Sequence, residues 1–152
     1  MKKIKNILTD DTIKEIFKYN SIKDLKQILI GHSISAGFPS PVMDYIQDRV
    51  DLNEFLITNP IATYFLRVNG ISMVKSGIHP DDILIVDKSL EAEDRKIIVA
   101  ELWEKLTVKM LRIKNERKYL VSENPTYKSV EVTNNKSFSV WGVVTYVLHR
   151  MR

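Results

Sequence analysis

Residues 96–124 read KIIVAELWEKLTVKMLRIKNERKYLVSEN, and this stretch decides the fold. Its three runs, KIIVAELW, KLTVKMLRIK and RKYLVSEN, are rich in β-branched and aromatic residues, and the turn pairs Glu104-Lys105 and Asn115-Glu116 punctuate them. Short runs of that composition joined by tight turns read as antiparallel strands. Working outward, the rhythm continues with ATYFLRVNG (62–70) and DDILIVD (81–87) upstream, and with VEVTNN (130–135) and SFSVWGVVTYVLHRM (137–151) downstream. Asn69-Gly70, His79-Pro80-Asp81-Asp82, Asn124-Pro125 and Asn134-Asn135 supply the remaining turns. Seven such strands predict a mostly β domain, either a barrel or packed, curled sheets.

The leader reads differently. Ile13, Ile16 and Phe17 stand at helical spacing behind Asp10 or Asp11 as an N-cap. A second segment, SIKDLKQILI (21–30), opens on Ser21 with Asp24 three residues on, as in a capping box, and stops at Gly31. These features predict a flexible, partly helical N-terminal arm. Two short helices also suit a helix-turn-helix, but thirty residues are too few to give one a core of its own.

Composition narrows the function. At 152 residues the chain has room for one domain plus an appendage, with 44% hydrophobic and 28% charged residues. Of the net charge of +4, residues 1–36 carry seven lysines against four acids, and residues 37–152 carry sixteen basic against fifteen acidic residues. A nearly neutral body argues against nucleic acid as its main ligand. The absence of cysteine removes disulfides, zinc-thiolate sites and thiol catalysis. His32, His79 and His149 lie far apart in sequence and form no metal-ligand pattern, so neither a metal nor a cofactor is expected. The opening MKKIKNILTDD has too short an apolar run for a signal peptide. No stretch approaches the roughly 18 apolar residues of a membrane span. These features predict a soluble, cytoplasmic protein.

Two residues stand out. Lys109 lies within LTVKML, where alternation places it on one face with Thr107 and Leu111. A lysine on a strand ordinarily faces solvent, but one desolvated by such neighbours loses affinity for its proton and becomes a base. Ser72 follows Asn69-Gly70 at a strand end, where a sharp bend can expose its oxygen and gather backbone N–H groups into an oxyanion hole. Val74 stands where a Gly-x-Ser-x-Gly elbow needs its second glycine, and no His–Asp pair suggests a triad, so the chemistry left is that of a Ser-Lys dyad. The heptapeptide SAGFPSP (35–41) offers either a linker or an accessible bond: Ala36-Gly37 is small, and Phe38, Pro39 and Pro41 keep the segment after it extended.

In combination these motifs resemble the LexA/UmuD family of self-cleaving serine peptidases. The resemblance runs from AGFPSPVMDYIQDRVDLNEFLI through ATYFLRVNGISMVKSGIHPDDILIVD and LTVKML to ENPTYK and VWGVVTYVL, covering residues 36–152. It implies a curled β-sheet peptidase domain, with Ser72 as nucleophile and Lys109 as base. The backbone N–H groups of Ile71 and Ser72 would form the oxyanion hole, and Ala36-Gly37 the scissile bond. Ile71 stands where UmuD-type members often carry Asp; since the backbone does the work there, the change should be tolerated. The chain would divide into an arm, 1–36, removed by self-cleavage, and a peptidase and dimerisation domain, 37–152.

The resemblance further implies a role in SOS mutagenesis. A RecA–single-stranded-DNA filament would assist cleavage. The product would join a UmuC-type subunit in an error-prone translesion DNA polymerase. It also implies a homodimer packed through carboxyl-terminal regions, with VWGVVTYVL either at that interface or in the core. The leader lacks the winged-helix domain of LexA-type repressors, so sequence-specific DNA binding is not expected. A LexA-like transcriptional regulator inactivated by self-cleavage is the alternative, for which Lys2, Lys3, Lys5, Lys14 and Lys18 supply charge. A peptidase acting on other proteins is a third reading.

Overall fold

The computed structural model describes residues 2–4, 9–10, 12–19, 26–30 and 46–151. They fall into two compact units, one formed by the described residues of 1–20 and 59–152, the other by those of 21–58.

The larger unit is built on one nine-stranded sheet whose assigned pairings are all antiparallel. In chain order its strands are β1 (Lys2–Lys3), β2 (Ile13–Lys18), β5 (Thr63–Val68), β6 (Ile83–Asp87), β7 (Ile97–Leu102), β8 (Lys105–Lys114), β9 (Arg117–Val121), β10 (Val130–Glu131) and β11 (Phe138–Leu148). In the smaller unit, β3 (Lys26–Ile30) pairs with β4 (Ile46–Asp51), followed by the single turn of helix α1 (Leu52–Leu56). Asp51 caps that helix by accepting from the Asn53 N–H at 2.7 Å.

The order across the large sheet is β1-β2-β5-β6-β11-β7-β8-β9-β10. The expected meander is its right half: β7, β8 and β9 are consecutive hairpins. Asn115 and Glu116 close the second with φ of 50° and 63°, the left-handed pair that matches strand twist. The first turn falls on Trp103-Glu104, with φ of 50° and 61°, one residue earlier than composition suggested. Strand β11 runs through the middle between β6 and β7 and is bent by two register shifts. Gly142 lies at one of them, where a Cβ would come within 2.6 Å of Val86 Cγ1. Adjacent residues feed different hydrophobic clusters: Val99 packs with Leu66, Val68, Leu84 and Val108, while Ile98 packs with Leu111, Leu120 and Val143. At β6 and β7 both faces of the sheet are therefore covered, which is why DILIVD and KIIVA read as nearly continuous apolar runs.

The helical reading of the leader is overturned for the described residues. Ile13–Lys18 is strand β2, paired with β5 from Ile13↔Val68 to Lys18↔Tyr64. A register shift between Ile13 and Glu15 explains the misleading rhythm. In a regular strand, residues three apart face opposite ways, but the bulge rephases the alternation so that Ile13 and Ile16, each 3% exposed, both enter the core. Lys26–Ile30 is likewise a strand, settled by pairing with β4; a short apolar run such as ILI does not distinguish helix from strand. Its proposed capping residues, Ser21 and Asp24, lie outside the described residues. Ile13–Lys18 is thus paired into the sheet, and the division expected at residue 36 lies outside the described residues. Among the described residues neither segment forms the helix pair a helix-turn-helix requires.

Candidate active site

Strand β5 ends at Val68 and the chain bends through Asn69-Gly70-Ile71 to Ser72. The bend does not use glycine's conformational freedom at Gly70, whose φ is not positive. Gly70 is required by crowding, since a Cβ there would approach Thr12 Cγ2 to 2.9 Å and Thr12 Cα to 3.1 Å. Beyond Ser72, a 3₁₀ turn at Val74–Ser76 closes on Gly77, which does take the left-handed conformation with φ of 76°. Met73 and Ile78, each 2% exposed, anchor the turn in the core.

One hydrogen bond within the turn and three from elsewhere in the chain, at Thr12, Glu123 and Asn124, fix it. The Ser76 N–H donates to Met73 O at 3.0 Å, and the Lys75 N–H to Glu123 O at 3.0 Å. The Asn69 N–H donates to Thr12 O at 2.9 Å. Asn124 Nδ2 donates to Ile71 O at 2.9 Å, while its own Oδ1 accepts from the Thr126 N–H at 3.1 Å. In a trans peptide the carbonyl and the following N–H point in opposite directions, so holding Ile71 O also sets the direction of the Ser72 N–H. Among the described residues no backbone acceptor takes the Ile71 or the Ser72 N–H.

Lys109 comes to the turn from β8, and its Nζ donates to Ser72 Oγ at 3.1 Å across 37 residues of sequence. Ser72 is 2% exposed and Lys109 half-buried. The lysine's other near neighbour is an aromatic face, with Nζ 5.9 Å from the centre of the Tyr127 ring. Burial pushes the Lys109 ammonium below its ordinary pKa, and the Asp10 carboxylate pulls it partly back up. With the amine neutral, the same separation lets the serine hydroxyl donate its proton to nitrogen. Alternation along β8 is as expected: Leu106 and Val108 enter one cluster and Leu111 the other.

The structure therefore brings Ser72 and Lys109 together beside the backbone of Ile71. Ala36 and Gly37 lie outside the described residues. The sequence reading missed Thr12, Asp10, Asn124 and Tyr127. Asn124-Pro125 read only as turn material; an Asn able to bond the backbone two residues on was the available signal that its amide was also free to hold a distant carbonyl.

Two of the three histidines prove to be neighbours. The rings of His79 and His149 lie 5.3 Å apart between centres, tilted by 56°, and their ligand atoms lie with a carboxylate oxygen of Asp82 within 4.8 Å of one another. Both Asp82 oxygens are already engaged, Oδ2 by the His79 N–H at 2.8 Å and Oδ1 by His149 Nδ1 at 2.6 Å. Ligand atoms around a tetrahedral ion with bonds of about 2.0 Å stand about 3.3 Å apart. The 2.6 Å separation is that of a hydrogen bond, so this cluster is a polar lock joining the β6 approach to the end of β11. No helix among the described residues is long and apolar enough to cross a membrane.

Comparison with known proteins agrees with this geometry. Residues 27–145 match the family described as Peptidase S24-like. The chain is 42% identical to Protein MucA of Escherichia coli over 116 residues, 76% of this chain and 79% of that protein. It is 38% identical to Protein ImpA of Salmonella typhimurium over 126 residues, 82% of this chain and 84% of that protein. It is 31% identical to the LexA repressor of Xylella fastidiosa over 130 residues, 86% of this chain and 61% of that protein.

Proposed function

This chain belongs to the Peptidase S24-like family of self-cleaving serine peptidases, on its UmuD-type side, and from that premise we propose that it cuts its own Ala36-Gly37 bond with Ser72 and Lys109. The observation carrying the proposal is the 3.1 Å approach of a desolvated lysine to a buried serine on a turn held by Thr12, Glu123 and Asn124. Neutral Lys109 takes the Ser72 proton as Oγ bonds to the Ala36 carbonyl carbon. The carbonyl oxygen becomes an oxyanion facing the Ile71 and Ser72 N–H groups. When the intermediate collapses, the carbon–nitrogen bond breaks and the Lys109 ammonium gives its proton to the departing Gly37 amine. Water, deprotonated by the same lysine, then attacks the acyl-enzyme, and Ser72 recovers its proton as Ala36 leaves with a carboxylate.

The SOS-related relatives support a damage-timed role. In this reading a RecA–single-stranded-DNA filament favours the cleavage-competent arrangement and raises its population. The cleaved form acts with a UmuC-type subunit in translesion synthesis, as a homodimer. Val140, Tyr146 and Leu148, exposed on β11 despite their size, support a dimer surface there. The test is the intact mass of the chain after incubation at neutral pH and at about pH 10, where an ordinary lysine is substantially neutral. A fragment beginning at Gly37, formed faster at high pH and absent from Ser72→Ala, is expected. Equal cutting by Ser72→Ala would falsify the scheme.

A further inference from the structure

Residues 9–10 and 12–18 lie upstream of the proposed cut and outside the stretch matched by the family, yet they are structural parts of the catalytic unit. On one side β2 completes the edge of β5, and the Tyr19 N–H extends the pairing to Thr63 O at 3.2 Å. On the other side the segment before β2 meets β8. Thr9 forms a parallel bridge with Leu106, the Asp10 N–H donates to Leu106 O at 2.9 Å, and the Val108 N–H donates to Thr12 Oγ1 at 3.4 Å. Between these contacts, Thr12 O holds the Asn69 N–H and the Thr12 side chain fills the space left by Gly70.

Strands β5 and β8 are not neighbours in the sheet, because β6, β11 and β7 lie between them. The leader therefore closes a seam, and the dyad straddles it: β5 leads into Ser72 and β8 carries Lys109. We propose that the body has a strand-binding seam whose ligand is its own residues 9–10 and 12–18, so that cutting at Ala36-Gly37 nicks the molecule without releasing the leader. The inference rests on the self-cleavage reading only for the position of the cut.

The recognition is β-strand addition, with main-chain bonds supplying register and two isoleucines supplying burial. Ile13 and Ile16 pack against Leu66, Val68 and Val108. The exposed ion pair Arg67–Glu15 at 3.4 Å joins leader to body but adds little affinity, and Lys3–Glu15 at 2.8 Å lies within the leader. Before the cut the leader is held at the effective concentration of a tethered segment, and afterwards only its own contacts hold it. Maturation would then remove a tether first, and any partner that needs the β5 edge would have to displace the leader.

The test uses the full-length chain carrying Ser72→Ala and a specific protease recognition sequence inserted between Ala36 and Gly37, cut by the added protease. Denaturing mass spectrometry reports the two pieces, while native mass spectrometry and gel filtration report whether they travel together. One species containing both pieces, eluting as the uncut chain does, is expected. Separate elution of the leader piece overturns the proposal. In the same background Ile16→Asp, which places a carboxylate against the core, should weaken retention by at least about a hundredfold. Lys3→Ala should leave retention unchanged, and retention as strong with Ile16→Asp would also overturn the assignment. The self-cleavage reading fails separately, if the unmodified chain never cuts itself at high pH, and that failure leaves the retention result standing.

Discussion

Lys109 and Asp82 are both ionisable groups carried into one sheet, and the fold treats them in opposite ways. Asp82, 3% exposed, meets a backbone N–H at 2.8 Å and a histidine nitrogen at 2.6 Å, so each oxygen has a partner. Lys109 meets a serine hydroxyl at 3.1 Å and the face of Tyr127, neither of which carries a formal charge. The nearest influence of opposite sign, Asp10, acts against desolvation without overcoming it. A buried carboxylate with full partners is a structural lock, whereas a half-buried amine with no counter-ion in contact is a base. The difference lies in the partners more than in depth, and it separates chemistry from architecture within a single unit.

Breaking the comparison at Lys109 should give the largest effect. Lys109→Met is expected to slow self-cleavage by at least about a thousandfold, because the serine then has no base in reach. Stability should move the other way. The fold lowers the lysine's affinity for its proton, so between that lowered pKa and the ordinary 10.5 the unfolded chain binds more protons than the folded one. Stability therefore rises with pH through that window, and the contribution is lost as pH falls through the folded value. Lys109→Met should flatten this rise, which denaturant titrations at several pH values would read. A variant that lost both activity and stability at neutral pH would place Lys109 among the structural groups.

Asp82→Ala is the reciprocal break. It leaves the His79 N–H and the His149 ring without their acceptor, and about 2–3 kcal/mol of stability should go with them. Cleavage per folded molecule should stay within about twofold, because the lock supports β6 and β11 and touches neither Ser72 nor Lys109. Thermal unfolding beside a cleavage time course would separate the two effects.

Asp10→Asn sharpens the comparison from the leader. The amide keeps an oxygen to accept the Thr12 N–H, which Asp10 Oδ1 now accepts at 2.8 Å, and removes the charge that holds the Lys109 pKa up. Cleavage at neutral pH should rise about two- to fivefold, and the midpoint of the pH–rate curve should shift toward acid. An unchanged midpoint would remove Asp10 from the electrostatics of the site.

The sequence reveals one half of the comparison better than the other. LTVKML is legible because apolar company around a lysine lies in neighbouring residues, and the hairpins around it are legible because turn chemistry is local. The Trp103-Glu104 turn lies one residue before the position composition suggests, because a bulky aromatic with φ of 50° runs against ordinary preference. Asp82 was not legible as a lock, since His149 stands 67 residues away and only pairing of β6 with β11 brings them together. Asn124 was missed for the same reason, its carbonyl partner lying 53 residues back. The leader failed differently: a bulge gave Ile13 and Ile16 the spacing of a helix face, so the local signal was present and pointed the wrong way.

A third buried polar group tests how far the distinction reaches, with the smallest effect. Thr107 is 7% exposed on the face of β8 that carries Lys109, and among the described residues its Oγ1 has no hydrogen-bond partner. Unlike Asp82 it is unsatisfied, and unlike Lys109 it cannot relieve burial by giving up a charge. If its hydroxyl is only an uncompensated polar atom, Thr107→Val, which keeps the shape, should raise stability by up to about 1 kcal/mol and leave cleavage unchanged. If instead the hydroxyl steadies Lys109 as its amine changes protonation state, the same substitution should stabilise the fold and slow cutting together. Stability without a rate change would place Thr107 with the architecture; a coupled change would extend the chemistry one residue pair along β8.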